Sequence, residues 1–345
     1  MSTHDLPSEP PALQPLLNPL SNQEVRARVL ALAEPADQAL TANLKSHVPY
    51  IEEVSGYIIF SGGKRLRPVL FLLAARALGH QADPRHAAIF EYLHAATLLH
   101  DDVVDDAGLR RGRPAARVKY GNDAVILVGD FLFSKSYSLS VEVADHRFVQ
   151  ALTDCTTHMA EGQVLELLHT DDLDLSHEGY LKVIVAKTAV LLAAACQMGA
   201  IHAGADQATV RAFYDYGMEL GIAFQMVDDA LDYVGSEHEF GKPVGHDLEE
   251  GKITLPFIHA RDHAAPQARQ RLLELTRRSR QEPQALPEAQ EIIRRQGGVE
   301  ATMAWANHHA ARAQAALAPL LAQGRPSLDL QTMLGLASYV VTRRA

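Results

Sequence analysis

Two short acidic runs interrupt otherwise apolar stretches: Asp101-Asp102-Val103-Val104-Asp105 and Asp228-Asp229-Ala230-Leu231-Asp232. In each, the first and last aspartates are four residues apart, which on an α-helix places both on one face, one turn apart. Like charges so placed destabilise a helix by roughly 0.2–0.5 kcal/mol. A divalent cation removes that repulsion, and magnesium suits the site because it takes oxygen ligands, typically one or two carboxylates plus substrate phosphates. Two such helices facing across a cavity would hold a small cluster of Mg²⁺ ions and clamp a diphosphate between them. A solvated acidic helix end explains either run taken alone, but not both together with the basic residues beside them.

Those cations recur at intervals: Lys64, Arg65 and Arg67 after Gly62-Gly63, Arg110-Arg111 just after the first motif, Lys187 within an apolar helix, and Lys242 and Lys252 around the loop after the second motif. A chain of net charge −10 gains nothing from clustering cations beside its acids unless the site holds more anion than the metal neutralises. Arginine suits bidentate phosphate contact, and lysine acts as a point charge. The net acidity also argues against nucleic acid as a partner, since a phosphate backbone demands a basic stripe.

The elements that must carry these residues read as helices. Alanine and leucine dominate and no segment holds a strand period. Ser21 to Glu24 forms a capping-box pattern. Gly62-Gly63 breaks a helix, Pro68 lies at the start of the next, and Gly79 ends it. Helices follow over Pro84–Asp105, Asp123–Glu142, Arg147–Leu168, His177–Ala203, Ala208–Tyr233 and from Leu255, with two or three more to the end. Residues 108–114 and 235–251 read as loops. Residues 1–20 read as a disordered leader and 21–345 as a single all-α domain, a large helical bundle around a central cavity. No run of 18 apolar residues is evident, so no membrane span is expected. Cys155 and Cys196 read as buried free thiols, which fits a cytoplasmic setting.

The segments GGKRLRP, HDDVVD with RRG, AKT, FQMVDDALDY and GKPVGHDLEEGKITLP, in that order, resemble those of the trans-isoprenyl diphosphate synthases. Within that family the chain is most similar to bacterial medium- and long-chain polyprenyl synthases of the octaprenyl type. The resemblance runs from about residue 45 to 260. It implies that Asp101 and Asp105, supported by Asp102, bind two Mg²⁺ ions, and that Asp228, supported by Asp229 and Asp232, binds a third, with Mn²⁺ able to stand in. It implies that Arg110, Lys187 and Lys242, with Lys252 nearby, hold an allylic diphosphate. Lys64, Arg67, His94 and Arg111 would hold isopentenyl diphosphate. Thr188 and Gln225 would point oxygen dipoles at a developing carbocation. It also implies a homodimer packed through the Asp123–Glu142 helix. His100, beside the metal ligands, is at most a supporting residue.

Product length is readable only indirectly. In short-chain members of the resembled family a large aromatic four or five residues before the first motif blocks the product's path; here Thr97 and Ala96 stand there. Leu93 would line the same path. Phe90, eleven residues before Asp101 and roughly 16 Å down the helix, would be a deeper wall, as would Phe133. The expectation is a product longer than C20, with C30 to C40 favoured over a farnesyl- or geranylgeranyl-length product. A class I terpene cyclase is disfavoured by the Gly-Gly-Lys and Lys-Thr elements, a non-catalytic subunit by two intact aspartate motifs, and a ferritin-like bundle by the lack of paired Glu-x-x-His.

Overall fold

The computed structural model describes residues 20–234, 245–279, 282–321 and 327–343. Helix α1 (Asn22–Asn43) opens on the capping box: the Glu24 N–H donates to Ser21 Oγ, and the Ser21 N–H donates to the Glu24 carboxylate at 2.8 Å. Helix α2 (Pro49–Ile59) ends before Gly62 and Gly63, both at positive φ. Helix α3 (Leu66–Ala77) carries Pro68 in its first turn, where a missing N–H costs nothing. Helix α4 (Pro84–Val104) is capped by Asp83 and ends on the first acidic motif.

The segment after α4 departs from the all-loop expectation. Leu109–Arg110 (β1) and Arg113–Pro114 (β2) pair antiparallel across a turn with Arg111 and Gly112 at positive φ. The pattern is too short to show a strand period. Helices α5 (Ala116–Tyr120), α6 (Asn122–Val141) and α7 (His146–Leu168) follow.

The expected continuous helix over 177–203 is three pieces: α8 (His177–Ile184), a π-helical turn (Val185–Ala189) and α9 (Val190–His202). The long helix α10 (Gln207–Leu231) carries the second motif at its end. After the short α11 (His246–Glu249) come α12 (Leu255–His263), α13 (Pro266–Ser279), α14 (Leu286–Arg295), α15 (Gly298–Leu321) and α16 (Leu328–Thr342). Among the described residues, four helices therefore follow α12 rather than two or three. Gly297, at positive φ, separates α14 from α15.

One apolar core runs from Val25 to Val340. Helix α10 packs on α9, α15, α16 and the π-turn, and α4 packs on α1, α3 and α6. The first and last helices meet, with Asn22 Nδ2 3.1 Å from Thr342 Oγ1. Two helical stretches, Asn122–Val141 and His177–His202, are long and apolar enough to cross a membrane by length and composition alone. The second is 83% buried inside the protein, so its apolarity serves the core. Both cysteines are buried free thiols.

Candidate active site

The two aspartate motifs end α4 and α10, but their six carboxylates do different things. Asp101 is buried and accepts no hydrogen bond from the described residues. Burial pushes its carboxyl up to about 6, against the pull of Lys187 and with repulsion from Asp105 and Glu166. Asp105 meets the Lys252 ammonium at 3.7 Å.

Asp102, expected to support the metal ligands, is fully buried with both oxygens engaged. It accepts from Arg110 Nε at 2.5 Å and from the Ala116 N–H at 3.3 Å, so it fastens the β1–β2 turn to the end of α4.

In the second motif, Asp228 pairs with Arg343 at the end of α16, Nη2 to Oδ1 2.5 Å, and that guanidinium lies 4.1 Å above the Phe224 ring. Asp229 accepts from Tyr180 Oη at 2.5 Å and from Gln225 Nε2 at 2.8 Å. Its burial outweighs those bonds and lifts its carboxyl to about 7. Asp232 accepts from the backbone N–H groups of His246 and Asp247, at 3.2 and 3.1 Å, holding the start of α11. Thus Asp229 and Asp232 also serve the protein's own groups here. The partners Tyr180 and Asp247 lie 49 and 15 residues away in the chain, which no local spacing reveals.

Asp247 adds a carboxylate not expected from sequence, although it sits within the GHDLEEG run. Burial, then Asp232 and Asp229, push it well above the usual carboxylate range. A crowd of buried carboxylates that raise one another is an oxygen-donor set in want of a cation, which fits a hard divalent metal. Among the described residues no three His, Cys, Asp or Glu side chains are already gathered into a metal-binding group.

The cations divide between two cavities. The larger, about 790 Å³, is lined by Lys64, Arg67, Arg111 and Arg343 with Glu91, His94, Thr188, Gln225 and Asp228. Arg67 Nε is buried without a partner, a donor left over for an anion. Burial, then Arg67 and Arg111, hold His94 well below its ordinary value, so it stands neutral among cations. Arg65 is different: it bonds Asp37 at 2.5 Å, Glu91 at 3.1 Å and the Ile59 carbonyl at 2.8 Å, and so braces the Gly62–Gly63 turn.

The smaller cavity, about 150 Å³, is lined by Glu166, Lys187, Tyr180, Asp229, Asp247 and Lys252, and Thr188 and Gln225 border both. Lys187 pairs with Glu166 of α7. Thr188 Oγ1 donates to Gln225 Oε1 at 2.8 Å while Gln225 donates to Asp229. Tyr180, Glu166 and Arg343 complete the site and were not expected from sequence. Lys242 lies outside the described residues.

The residues expected to govern product length lie on the same helix as the first motif. Phe90, Leu93 and Ala96 are fully buried, and Thr97 is half-buried with its hydroxyl donating to the His94 carbonyl at 2.8 Å. Phe90 packs against Phe71, ring centroids 5.5 Å apart. His100 faces α6, 3.2 Å from the Ile126 carbonyl and stacked on Phe133.

The polyprenyl synthetase family model matches residues 48–293. The octaprenyl diphosphate synthase of Escherichia coli K12 is 42% identical over 234 residues, 67% of this chain and 72% of that one. A short chain isoprenyl diphosphate synthase of Methanothermobacter thermautotrophicus is 37% identical over 286 residues, 80% of this chain and 87% of that one. Among solved structures, the polyprenyl synthase of Caulobacter crescentus CB15, complexed with calcium and isoprenyl diphosphate, superposes with a TM-score of 0.85 at 39% identity. It covers 93% of this chain and 98% of its own.

Proposed function

This chain belongs to the polyprenyl synthetase family and is a prenyltransferase, and from that membership we propose how its residues divide the work. The observation that carries the reading is the pair of aspartate motifs at the ends of α4 and α10 with a cation-lined cavity between them. Asp101, Asp105 and Asp228 would hold Mg²⁺, with Asp247 and Asp232 close to the second group. The bound metal supplies charge stabilisation to a leaving diphosphate.

Lys187, Lys252 and the Arg110 Nη groups left over from Asp102 would bind the allylic diphosphate. Lys64, Arg67, Arg111 and neutral His94 would bind isopentenyl diphosphate. Breaking the allylic C–O bond leaves a carbocation, which the isopentenyl double bond attacks. Thr188 offers that cation its oxygen lone pairs, because its proton is committed to Gln225. Gln225 is in turn fixed by Asp229. The proton lost at the end goes to the departing diphosphate. Dipoles and charges fixed in place before the reaction usually lower such a barrier more than any other single effect.

The small Ala96 and the half-buried Thr97 before the first motif support a product longer than C20, C30 to C40. The open apolar face of α6, where Ile126 and Leu127 are 41% and 66% exposed, supports a homodimer. Two unpaired thiols support a reducing, cytoplasmic setting. The test is turnover of labelled isopentenyl diphosphate with geranyl, farnesyl and geranylgeranyl primers, with Mg²⁺ or chelator. Metal-dependent products of 30 to 40 carbons are expected; no turnover of any primer with Mg²⁺ would overturn the assignment of roles.

A further inference from the structure

Lys187 and Thr188 stand on a π-turn, in which the Val190 N–H reaches the Val185 carbonyl five residues back. Such a turn inserts one residue and swells the helix, and it needs room on its neighbours. The room is supplied twice, by the same device. On α7, Gly162 lies four residues before Glu166, which holds Lys187. On α10, Gly221 lies four residues before Gln225, which holds Thr188. Four residues is one helical turn on one face.

Each glycine is filled by the π-turn's backbone. A Cβ on Gly162 would stand 2.5 Å from Ala186 Cβ, 2.9 Å from the Ala186 carbonyl carbon and 3.1 Å from the Lys187 nitrogen. A Cβ on Gly221 would stand 2.5 Å from Ala189 Cα and 2.8 Å from Ala189 Cβ. Backbone cannot swing aside as a side-chain tip can, so a methyl here displaces the turn itself.

We propose that Gly162 and Gly221 are positioning residues for the prenyl transfer, a two-sided clamp that sets where Lys187 and Thr188 meet the allylic substrate. Each side makes backbone contact at one turn and a polar grip at the next. The proposal rests on the roles given above to Lys187 and Thr188.

Two expectations oppose each other in Gly162→Ala. Alanine is the better helix former, so propensity alone predicts a protein at least as stable and fully active. The clamp predicts a displaced Lys187, with kcat/KM for the allylic diphosphate falling roughly 10–100-fold. KM for isopentenyl diphosphate should move less, because Lys64, Arg67 and Arg111 stand on the turn before α3, on α3 and on the β1–β2 turn, and of the π-turn Thr188 alone borders their cavity. Ala186→Gly should then restore part of the loss by removing the 2.5 Å contact, while the Ala186 carbonyl carbon at 2.9 Å stays, a coupling that a generally weakened fold would not show.

Gly217→Ala is the control. Its Cβ would meet Leu192 and Ala193 backbone at 2.6–2.7 Å, past the π-turn, so melting temperature should fall while kcat stays near the parent value. Full activity in Gly162→Ala, or a loss that Ala186→Gly does not lessen at all, overturns the clamp. If Gly162→Ala does not fold, Ala186→Gly alone decides: it loosens the contact with Gly162, so a fall in kcat/KM for the allylic diphosphate supports the clamp and parent activity overturns it. Lys187→Ala distinguishes the premise. If it retains full activity, the role of Lys187 fails; if it is inactive while Gly162→Ala is normal, only the clamp fails.

Discussion

Asp101, proposed above to hold metal, is a carboxylate that costs the fold stability when no cation offsets it. Burial raises it to about 6 from an ordinary value near 4. Between about pH 4 and 6 the folded chain keeps a proton that the unfolded chain has released, so this residue's contribution to stability falls as pH rises through that window. Asp101→Asn is therefore expected to stabilise the metal-free protein at pH 7.5 by roughly 2–3 kcal/mol, seen as a higher urea midpoint. The same change should lower kcat on the order of 10²–10³-fold. A variant no more stable than the parent would show that the site relieves Asp101 by some other group. Tyr180 works in the opposite sense. It supplies one of the bonds on a buried carboxylate, so Tyr180→Phe should cost about 1–3 kcal/mol and slacken Gln225, lowering kcat more than it raises either KM. Neither effect was legible in sequence. The i, i+4 spacing exposes the aspartates, but whether each faces the cavity or the protein depends on Tyr180, Arg110 and Arg343, which α8, the β1–β2 turn and the end of α16 deliver from elsewhere in the chain.

Among the elements, α4 does two jobs: its end carries Asp101 and Asp105, and its middle presents Ala96 to the core. Ala96→Tyr should shorten the product, read by chromatography of the dephosphorylated prenols. Unchanged chain length would remove Ala96 from the product's path. The long helices were legible where caps and breakers mark their ends: Ser21, Gly62-Gly63, Pro68 and Gly79 all do so in the structure. The π-turn was not, because Ile184 to Val190 continues an ordinary apolar helical pattern and only close packing against Gly162 and Gly221 shows the added residue. The β1–β2 pair escaped for a different reason, since two residues per strand are too few to alternate.

At the scale of the whole molecule, the end of the bundle away from the aspartates holds a histidine pair. His86 Nδ1 and His202 Nε2 are 3.0 Å apart beneath Phe71 and Phe148, with Asp83, Arg85, Glu142 and His80 around them. Burial lowers both, so each resists protonation in the folded chain. The unfolded chain takes up those protons first as pH falls below about 6.5, and stability drops with it. The urea midpoint should fall further between pH 7.5 and 5.5 in the parent than when both histidines become leucine, the dependence left over belonging to buried carboxylates such as Asp101 and Asp229. The proposed homodimer is tested at this scale too: if it packs through the open face of α6, Leu127→Glu should halve the mass found by light scattering. An unchanged mass would place the contact elsewhere.

The meeting of α1 and α16 has a practical side. Asn22 touches Thr342, and Arg343, one residue on, rests on Asp228. A purification handle or surface tether attached near either of these helix ends would therefore leave the protein beside the cation-lined cavity and tug at its wall. The turn joining α9 to α10 at Ala203–Asp206, most of the length of α10 away from Asp228, is the better anchor for immobilising a working enzyme.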